Sequence, residues 1–431
     1  MQAYRSSIFH CVEKNGAIKG EYFVDGLLII DEGRVVEVGD YQVLSSNFSK
    51  ENIAQITVLN NCLIIPGLID THLHYPQYKI IASFGKTLLD WLNDYTFIEE
   101  QKFNQQEYAN NIAELFYSEL LRNGTTTAMS FCTSHPHSVN AFFSVAHKYN
   151  MRMLGGKVMM NRNAPDGLCD TVESGYQDSK ELIEKWHNKG RLLYSVSPRF
   201  APTCCTEQLT MAAKLMQEYE GNNSQAVRMQ THLNENIDEI EWVKSLYPEH
   251  KSYFDVYEQH QLAGEFSVFG HCIYGTDEEF KRLGETGSKV ALCPSSNLFL
   301  GSGLFDLQKL EHYGIDCAIA SDIGGGDSFS LFKTINEAYK ICALQGYRLD
   351  SIKGLYLCTL GAAKVLNLEH CLGNFEAGKE ADFVVLNLQA TQLISERIAT
   401  TKNIEELLFS LITLGDDRLV DEVYIYGKKV I

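Results

Sequence analysis

The stretch Pro66-Gly67-Leu68-Ile69-Asp70-Thr71-His72-Leu73-His74 places two histidines two residues apart at the end of an apolar run that begins at Leu63. In a β-strand successive side chains point to opposite faces, so residues two apart share one face. His72 and His74 can therefore aim their imidazoles at a single point, as a pair of zinc or iron ligands would. Two unrelated surface histidines satisfy the same spacing, and His135-Pro136-His137, in a Ser/Pro-rich loop, is such a pair. The run-in strand and the partners far downstream separate the first pair from the second.

Working outward, apolar strand-like runs alternate with helical patterns. Candidate buried strands are Leu63–His72, Thr125–Phe131, Met153–Met160, Leu192–Pro198, Val227–His232, Ser267–His271, Lys289–Cys293 and Ile315–Asp322. Helical periodicity lies between several of them, as in Gln106–Arg122 and Thr206–Tyr219. Eight β/α units predict a closed α/β barrel of the (β/α)8 TIM type, with its active site at the C-terminal ends of the strands. An open doubly wound sheet is the competing architecture. It would need a phosphate-binding glycine loop after an early strand, whereas Gly67 and Gly124 stand alone.

Both ends of the chain read as short strands: Tyr22–Ile30 and Arg34–Val38 around Asp31-Glu32-Gly33, then Ala381–Leu386, Glu422–Ile425 and Lys428–Ile431. Neither end alone can bury a core, so the two are expected to pair into one small β-sandwich. The expected organisation is residues 1–64 as the first part of the sandwich, 65–369 as the barrel and 370–431 as the second part.

A chain of 431 residues exceeds the usual limit of a single core, in keeping with that division. Its 45% apolar and 21% charged residues are ordinary for a soluble enzyme. The formal charge of −18, with no Lys/Arg-rich run, argues against nucleic acid or an anionic membrane as partner. Residues 1–16 lack a basic-then-apolar leader pattern and no segment approaches a membrane span, so a cytoplasmic protein is expected. The twelve cysteines are scattered without a CxxC pair and are expected to be buried thiols. Cys293, before Pro294, is weighed as a nucleophile, but no histidine lies near it and core packing is the expectation.

The candidate site residues fall in one geometric class. His72 and His74 end strand one, His232 strand five, His271 strand six and Asp322 strand eight. In a barrel these ends converge, and three histidines with one carboxylate suit a divalent ion that keeps a position open for water. Each residue alone has a bland explanation: His232 starts a helix, His271 ends a strand, and Asp322 precedes Gly324-Gly325-Gly326. Glu235, three residues after His232, stands where a proton shuttle is wanted, and it also begins an acidic helix start with Asp238. Lys157 falls on strand three and strand four carries no lysine, so a carbamylated lysine bridging two metals is not expected and one metal is favoured.

With these residues in place the chain resembles the amidohydrolase superfamily and, within it, the guanine deaminase family, over essentially its whole length. The metal motifs carry the superfamily resemblance. The narrower one rests on His74-Tyr75-Pro76-Gln77, Leu88-Leu89-Asp90-Trp91-Leu92 with Tyr95-Thr96-Phe97, Ser197-Pro198-Arg199-Phe200-Ala201-Pro202, Cys293-Pro294-Ser295-Ser296-Asn297 and Ser321-Asp322-Ile323-Gly324-Gly325-Gly326.

The resemblance implies one zinc per subunit held by His72, His74, His232 and Asp322, with His271 off the metal and hydrogen-bonded to the attacking water. It implies that Gln77, Arg199 and the Phe200 backbone read guanine, with His271 also near the substrate, and that the enzyme is a homodimer. An amide offers both donor and acceptor, and a guanidinium can fork onto a purine carbonyl and a ring nitrogen. Trp91 and Phe97 are candidates for the pocket wall. The expected reaction is hydrolytic deamination of guanine to xanthine and ammonia, a step of purine catabolism. In it Asp322 serves as base and accepts the water proton, Glu235 protonates ring N3, a proton is then passed to the departing amino group, and His271 steadies the developing oxyanion. Three alternatives stay open: iron instead of zinc, a related ring (triazine, pterin or adenine-type nucleoside), and a scaffold without catalysis, which would lack metal ligands.

Overall fold

The computed structural model describes residues 1–47, 56–85, 87–221 and 225–431. Its centre is a ring of eight parallel strands: Leu68–His74, Thr125–Phe131, Arg152–Gly156, Leu193–Pro198, Arg228–Leu233, Ser267–His271, Lys289–Leu292 and Cys317–Ile319. Neighbours pair in chain order. The ring is nearly closed by backbone bonds just past strand eight: Asp322 N donates to His72 O at 2.9 Å, and His74 N donates to Ile323 O.

The barrel is filled, not open. Ile69, Met129, Leu154, Leu193, Val268, Ala291 and Ala318, from seven of the eight strands, form one buried cluster inside it. Helices cover the outside through apolar stripes. In Gln106–Arg122 the buried residues are Ala109, Ile112, Ala113, Phe116, Tyr117, Leu120 and Leu121, the three-and-four spacing that puts one face of a helix against a core. This helix and that at Thr206–Glu218 match the periodicity expected from sequence to within a residue.

Two expected barrel strands are corrected. The apolar run from Leu63 to His72 is two strands, Ile56–Pro66 in a separate sheet and Leu68–His74 in the barrel. The break is at Gly67, where a Cβ would sit 2.0 Å from Thr126 Oγ1, so only glycine lets the chain cross there. The run Met153–Met160 is likewise interrupted at Lys157, between Arg152–Gly156 and the short Val158–Met159. Apolar character continues across Gly67 and does not mark the first break, whereas the second falls on a charged residue.

The separate sheet has seven strands from both ends of the chain, in the order Lys428–Lys429, Val420–Ile425, Phe383–Asn387, Ile56–Pro66, Gln2–Lys14, Ala17–Asp31 and Arg34–Asp40. Strands Ile56–Pro66 and Phe383–Asn387 pair antiparallel and join the two ends. The Tyr4 and Tyr424 rings, from strands three steps apart, are 5.0 Å apart, so the sheet curls strongly over this face. Strand Gln2–Lys14 was not expected. Its signal was Asn15-Gly16, both left-handed in the structure, a two-residue hairpin turn linking it to Ala17–Asp31. Arg191, just before barrel strand four, binds Glu380 and Asp382 of the curled sheet's C-terminal part, and Arg152 joins on Glu380.

Candidate active site

His72 and His74 project from barrel strand one into the mouth, both buried. Strict alternation does not account for this, because Ile69 also points inward. The register shifts between Asp70 and Leu73, and this irregularity reverses the parity along the strand. Asp70 Oδ1 accepts from Ser321 N at 3.1 Å and His72 N at 3.3 Å, which ties the irregular segment to the strand-eight loop. Burial pushes the Asp70 carboxyl up to about 6. On strand six, Gly270 leaves room for the His72 ring, since a Cβ there would lie 2.6 Å from His72 Cε1.

His232 arrives from strand five, His271 from strand six and Asp322 from the turn after strand eight. His271 (φ 69°) and Asp322 (φ 51°) are both left-handed, a conformation non-glycine residues adopt at a cost and hold only where the surroundings enforce it.

The nitrogen and carboxylate donors of His72, His74, His232 and Asp322 lie within 4.8 Å of one another. His72 Nε2 and His74 Nε2 are each 3.4 Å from Asp322 Oδ1, and His74 Nε2 is 3.1 Å from His232 Nε2. Donors about 2.1 Å from a tetrahedral ion stand about 3.4 Å from each other, so this set fits one divalent metal. His72 Nδ1 and Nε2 and His74 Nδ1 are buried without a hydrogen-bond partner among the described residues, a cost that ligation of Nε2 offsets at His72. His232 Nδ1 lies 2.7 Å from Arg199 O, so Nδ1 carries the proton and Nε2 keeps its lone pair for the centre. Burial pushes His74 down to about 3 and His232 well below its usual value, leaving both neutral. Burial opposes the Asp322 charge, but the imidazoles of His72, His74 and His271 packed around it hold the carboxyl well below its ordinary range.

His271 sits at the edge of this set. Its Nε2 is 3.8 Å from Asp322 Oδ2 and 3.4 Å from Glu235 Oε2, while Nδ1 is bonded to Asn297 Oδ1 at 2.9 Å. Glu235 is held from two sides: its N–H donates to Glu239 Oε2 at 3.0 Å and its Oε1 accepts from Ser302 at 3.2 Å. Burial, with the nearby Asp322 charge, pushes its carboxyl up to about 8. These surroundings favour its protonated form.

A cavity opens on these groups. His74, His232, Glu235, His271 and Asp322 form its floor, and Gln77, Arg199, Phe200, Trp91, Leu88 and Leu92 belong to its walls. Phe97 does not line it but lies under the Arg199 guanidinium, 5.6 Å from ring centre to Cζ. The sequence-expected residues thus meet in one place.

Other sequence features lie elsewhere. His135 precedes the helix Pro136–Tyr149 and bonds Thr133 Oγ1 at 3.2 Å. The ammonium of Lys157 is engaged by Asp170 at 2.5 Å. No disulfide forms among the cysteines, and Cys293 is buried with its thiol pushed well above its ordinary value by burial. It shares a second group of potential donors with His72, His271 and Asp322.

Sequence reasoning missed Asp70, Glu100, Asn297, Glu239 and Ser302. Asn297 and Asp70 lay inside stretches already singled out. Glu100 and Glu239 lie on helices, where an acidic residue usually faces solvent, and nothing local distinguished them.

The Amidohydrolase family model matches residues 63–430. Guanine deaminase of Escherichia coli (strain K12) is 48% identical over 409 residues, covering 95% of this chain and 92% of that protein. A solved structure of E. coli guanine deaminase superposes with TM-score 0.95 at 46% identity, covering 100% of this chain and 99% of that one. Guanine deaminase from C. acetobutylicum, solved with guanine bound in the active site, superposes with TM-score 0.89 at 30% identity over 100% of both chains.

Proposed function

From the premise that the chain belongs to the amidohydrolase family, in its guanine deaminase branch, we propose that it hydrolyses guanine to xanthine and ammonia using the site described above. The observation that carries this reading is the joining of two sets of groups in one buried cavity. A neutral-histidine and carboxylate set suited to a divalent ion lies beside Arg199 and Gln77, polar groups suited to a purine edge.

In this reading His72, His74, His232 and Asp322 hold one zinc per subunit. Bound there, the ion lowers the pKa of water toward neutrality. Asp322 takes the proton from the attacking water as its oxygen adds to C2 of the ring. Glu235, in its protonated form, donates to ring N3, so that C2 becomes tetrahedral without charge building on the ring. The water proton held by Asp322 passes to the amino group, which leaves as ammonia as the C2–N bond breaks, and the remaining hydroxyl proton returns to Glu235 as the C2 carbonyl forms. His271 Nε2, 3.4 Å from Glu235 and 3.8 Å from Asp322, stands where it can accept a hydrogen bond from the attacking water and orient it. Gln77, Arg199 and the Phe200 backbone hold the purine in register.

The reading extends to residues 65–369 as the catalytic unit, with 1–64 and 370–431 as its companion, and to a cytoplasmic homodimer acting in purine catabolism. Among the described residues no helix is long and apolar enough to cross a membrane. The test is ammonia release from guanine, with adenine, cytosine and a triazine in parallel, on protein of measured metal content. Equal amounts of xanthine and ammonia, formed well above the other rings, are expected. A zinc-loaded protein inert on guanine would refute the assignment.

A further inference from the structure

Glu100 is fully buried, yet among the described residues it makes no hydrogen bond or ion pair with the metal set. Both its oxygens are engaged by the two side chains assigned to purine recognition. Arg199 Nη1 donates to Oε1 and to Oε2, each at 2.9 Å, and Gln77 Nε2 donates to Oε1 at 3.0 Å. On the other side of Gln77, Oε1 accepts from Gly324 N at 3.2 Å.

A carboxylate only accepts and a backbone N–H only donates. Glu100 and Gly324 together therefore fix which end of the Gln77 amide is which. The same carboxylate anchors one nitrogen of the guanidinium. No hydrogen bond among the described residues takes up Arg199 Nε or Nη2, and Arg199 lines the cavity. The buried guanidinium thus has its charge balanced on one edge while donors remain for a carbonyl on another.

How the chain presents Glu100 supports a dedicated role. The segment runs from Leu88–Trp91 through a π turn at Leu92–Thr96 to Phe97–Glu100. In an unbroken α-helix Leu92 and Glu100, eight residues apart, would be about 80° out of register. The wider i→i+5 turn reduces that offset, and such turns recur at functional sites. Leu92 then reaches the cavity wall while Glu100 reaches Arg199 and Gln77.

We propose that Glu100 is a positioning residue that sets the pocket's specificity for a purine bearing a ring carbonyl, acting through Arg199 and Gln77. The proposal rests on the guanine reading above. It makes discrimination between oxo- and non-oxo-purines depend on a residue that contacts neither substrate nor metal.

The test compares guanine with 2-aminopurine, which carries the same amino group but no carbonyl, using the metal-loaded parent and Glu100→Gln. The variant is expected to keep its metal and to raise the KM for guanine at least tenfold, with a smaller change in kcat. The inhibition constant of 2-aminopurine should move less than threefold, because that ring has no carbonyl for Arg199 to hold. If Glu100→Gln does not fold, Glu100→Asp, which keeps the charge but is one methylene shorter, is put through the same comparison with a partial loss expected. Equal weakening of both ligands would mean that Glu100 only supports the fold, and unchanged guanine kinetics would mean that it does not position the pocket; either overturns the proposal. A parent that turns over no guanine would overturn the functional reading as well, which separates that failure from one confined to Glu100.

Discussion

The carbonyl oxygen of Arg199 lies 2.7 Å from His232 Nδ1, while the side chain of the same arginine runs into the substrate cavity. One residue thus serves both halves of the site through different atoms. Its backbone sets the tautomer of His232, and its guanidinium lines the cavity where the proposed reading places the ring. A substitution at Arg199 keeps the carbonyl and so separates the two roles.

Arg199→Ala is therefore expected to retain its metal and to raise the KM for guanine by about 10- to 100-fold, the effect of losing one or two charge-assisted hydrogen bonds. Metal analysis alongside steady-state kinetics checks this. Loss of the metal with the side chain would show that the guanidinium, not the carbonyl, supports His232.

Glu235 lies beside the donor set without belonging to it: its Oε2 is 3.4 Å from His271 Nε2, and it is absent from the four-residue cluster. Glu235→Gln is expected to bind metal normally and to lose on the order of 100- to 10,000-fold in kcat, the usual worth of a positioned acid–base group. A variant turning over at the parental rate would remove Glu235 from the proton path.

Buried, unpartnered imidazole nitrogens make the metal-free site costly, so metal and fold should be coupled. Chelation is expected to lower the melting temperature, since an ion present at a hundred times its Kd contributes about 2.7 kcal/mol. Asp322→Asn should weaken metal retention and reduce that difference. Calorimetry on loaded and chelated protein measures both; identical melting would argue that no ion is held there.

Arg152 and Arg191 meet Glu380 and Asp382 where the barrel joins the curled sheet, all four side chains largely buried. Removing one member strands buried charge, so Arg191→Ala is expected to cost about 3–5 kcal/mol in urea unfolding. Burial opposes the charge on Glu380, but its arginine partners hold the carboxyl down to about 2 from an ordinary 4.5. A depressed folded-state value means this stabilisation is complete above about 4.5 and is lost as the pH falls toward 2. Unfolding midpoints measured between pH 6 and pH 3 should fall with acid, and less steeply in Glu380→Gln. A Glu380→Gln protein with the parental acid slope would contradict the assignment.

The sequence by itself determined the kind of fold and the floor of the site. Eight apolar strand runs separated by helical periodicity specify a parallel barrel because each signal is local, and residues two apart on a strand must share a face. His72, His74, His232, His271 and Asp322 were legible because each closes such a run, and barrel geometry brings strand ends together.

Only the tertiary structure decided the rest. The break at Gly67 is invisible in hydropathy, because what forbids a side chain there is Thr126, 59 positions away in the chain. The inward parity of His72 relative to Ile69 depends on a register shift enforced by pairing with the next strand. Glu100 looks like any acidic residue on a helix until folding places it against Arg199, 99 positions on, and Gln77, 23 positions before. Local chemistry dictates which element a residue joins. Which buried charge meets which partner is set by contacts between segments that no local pattern encodes.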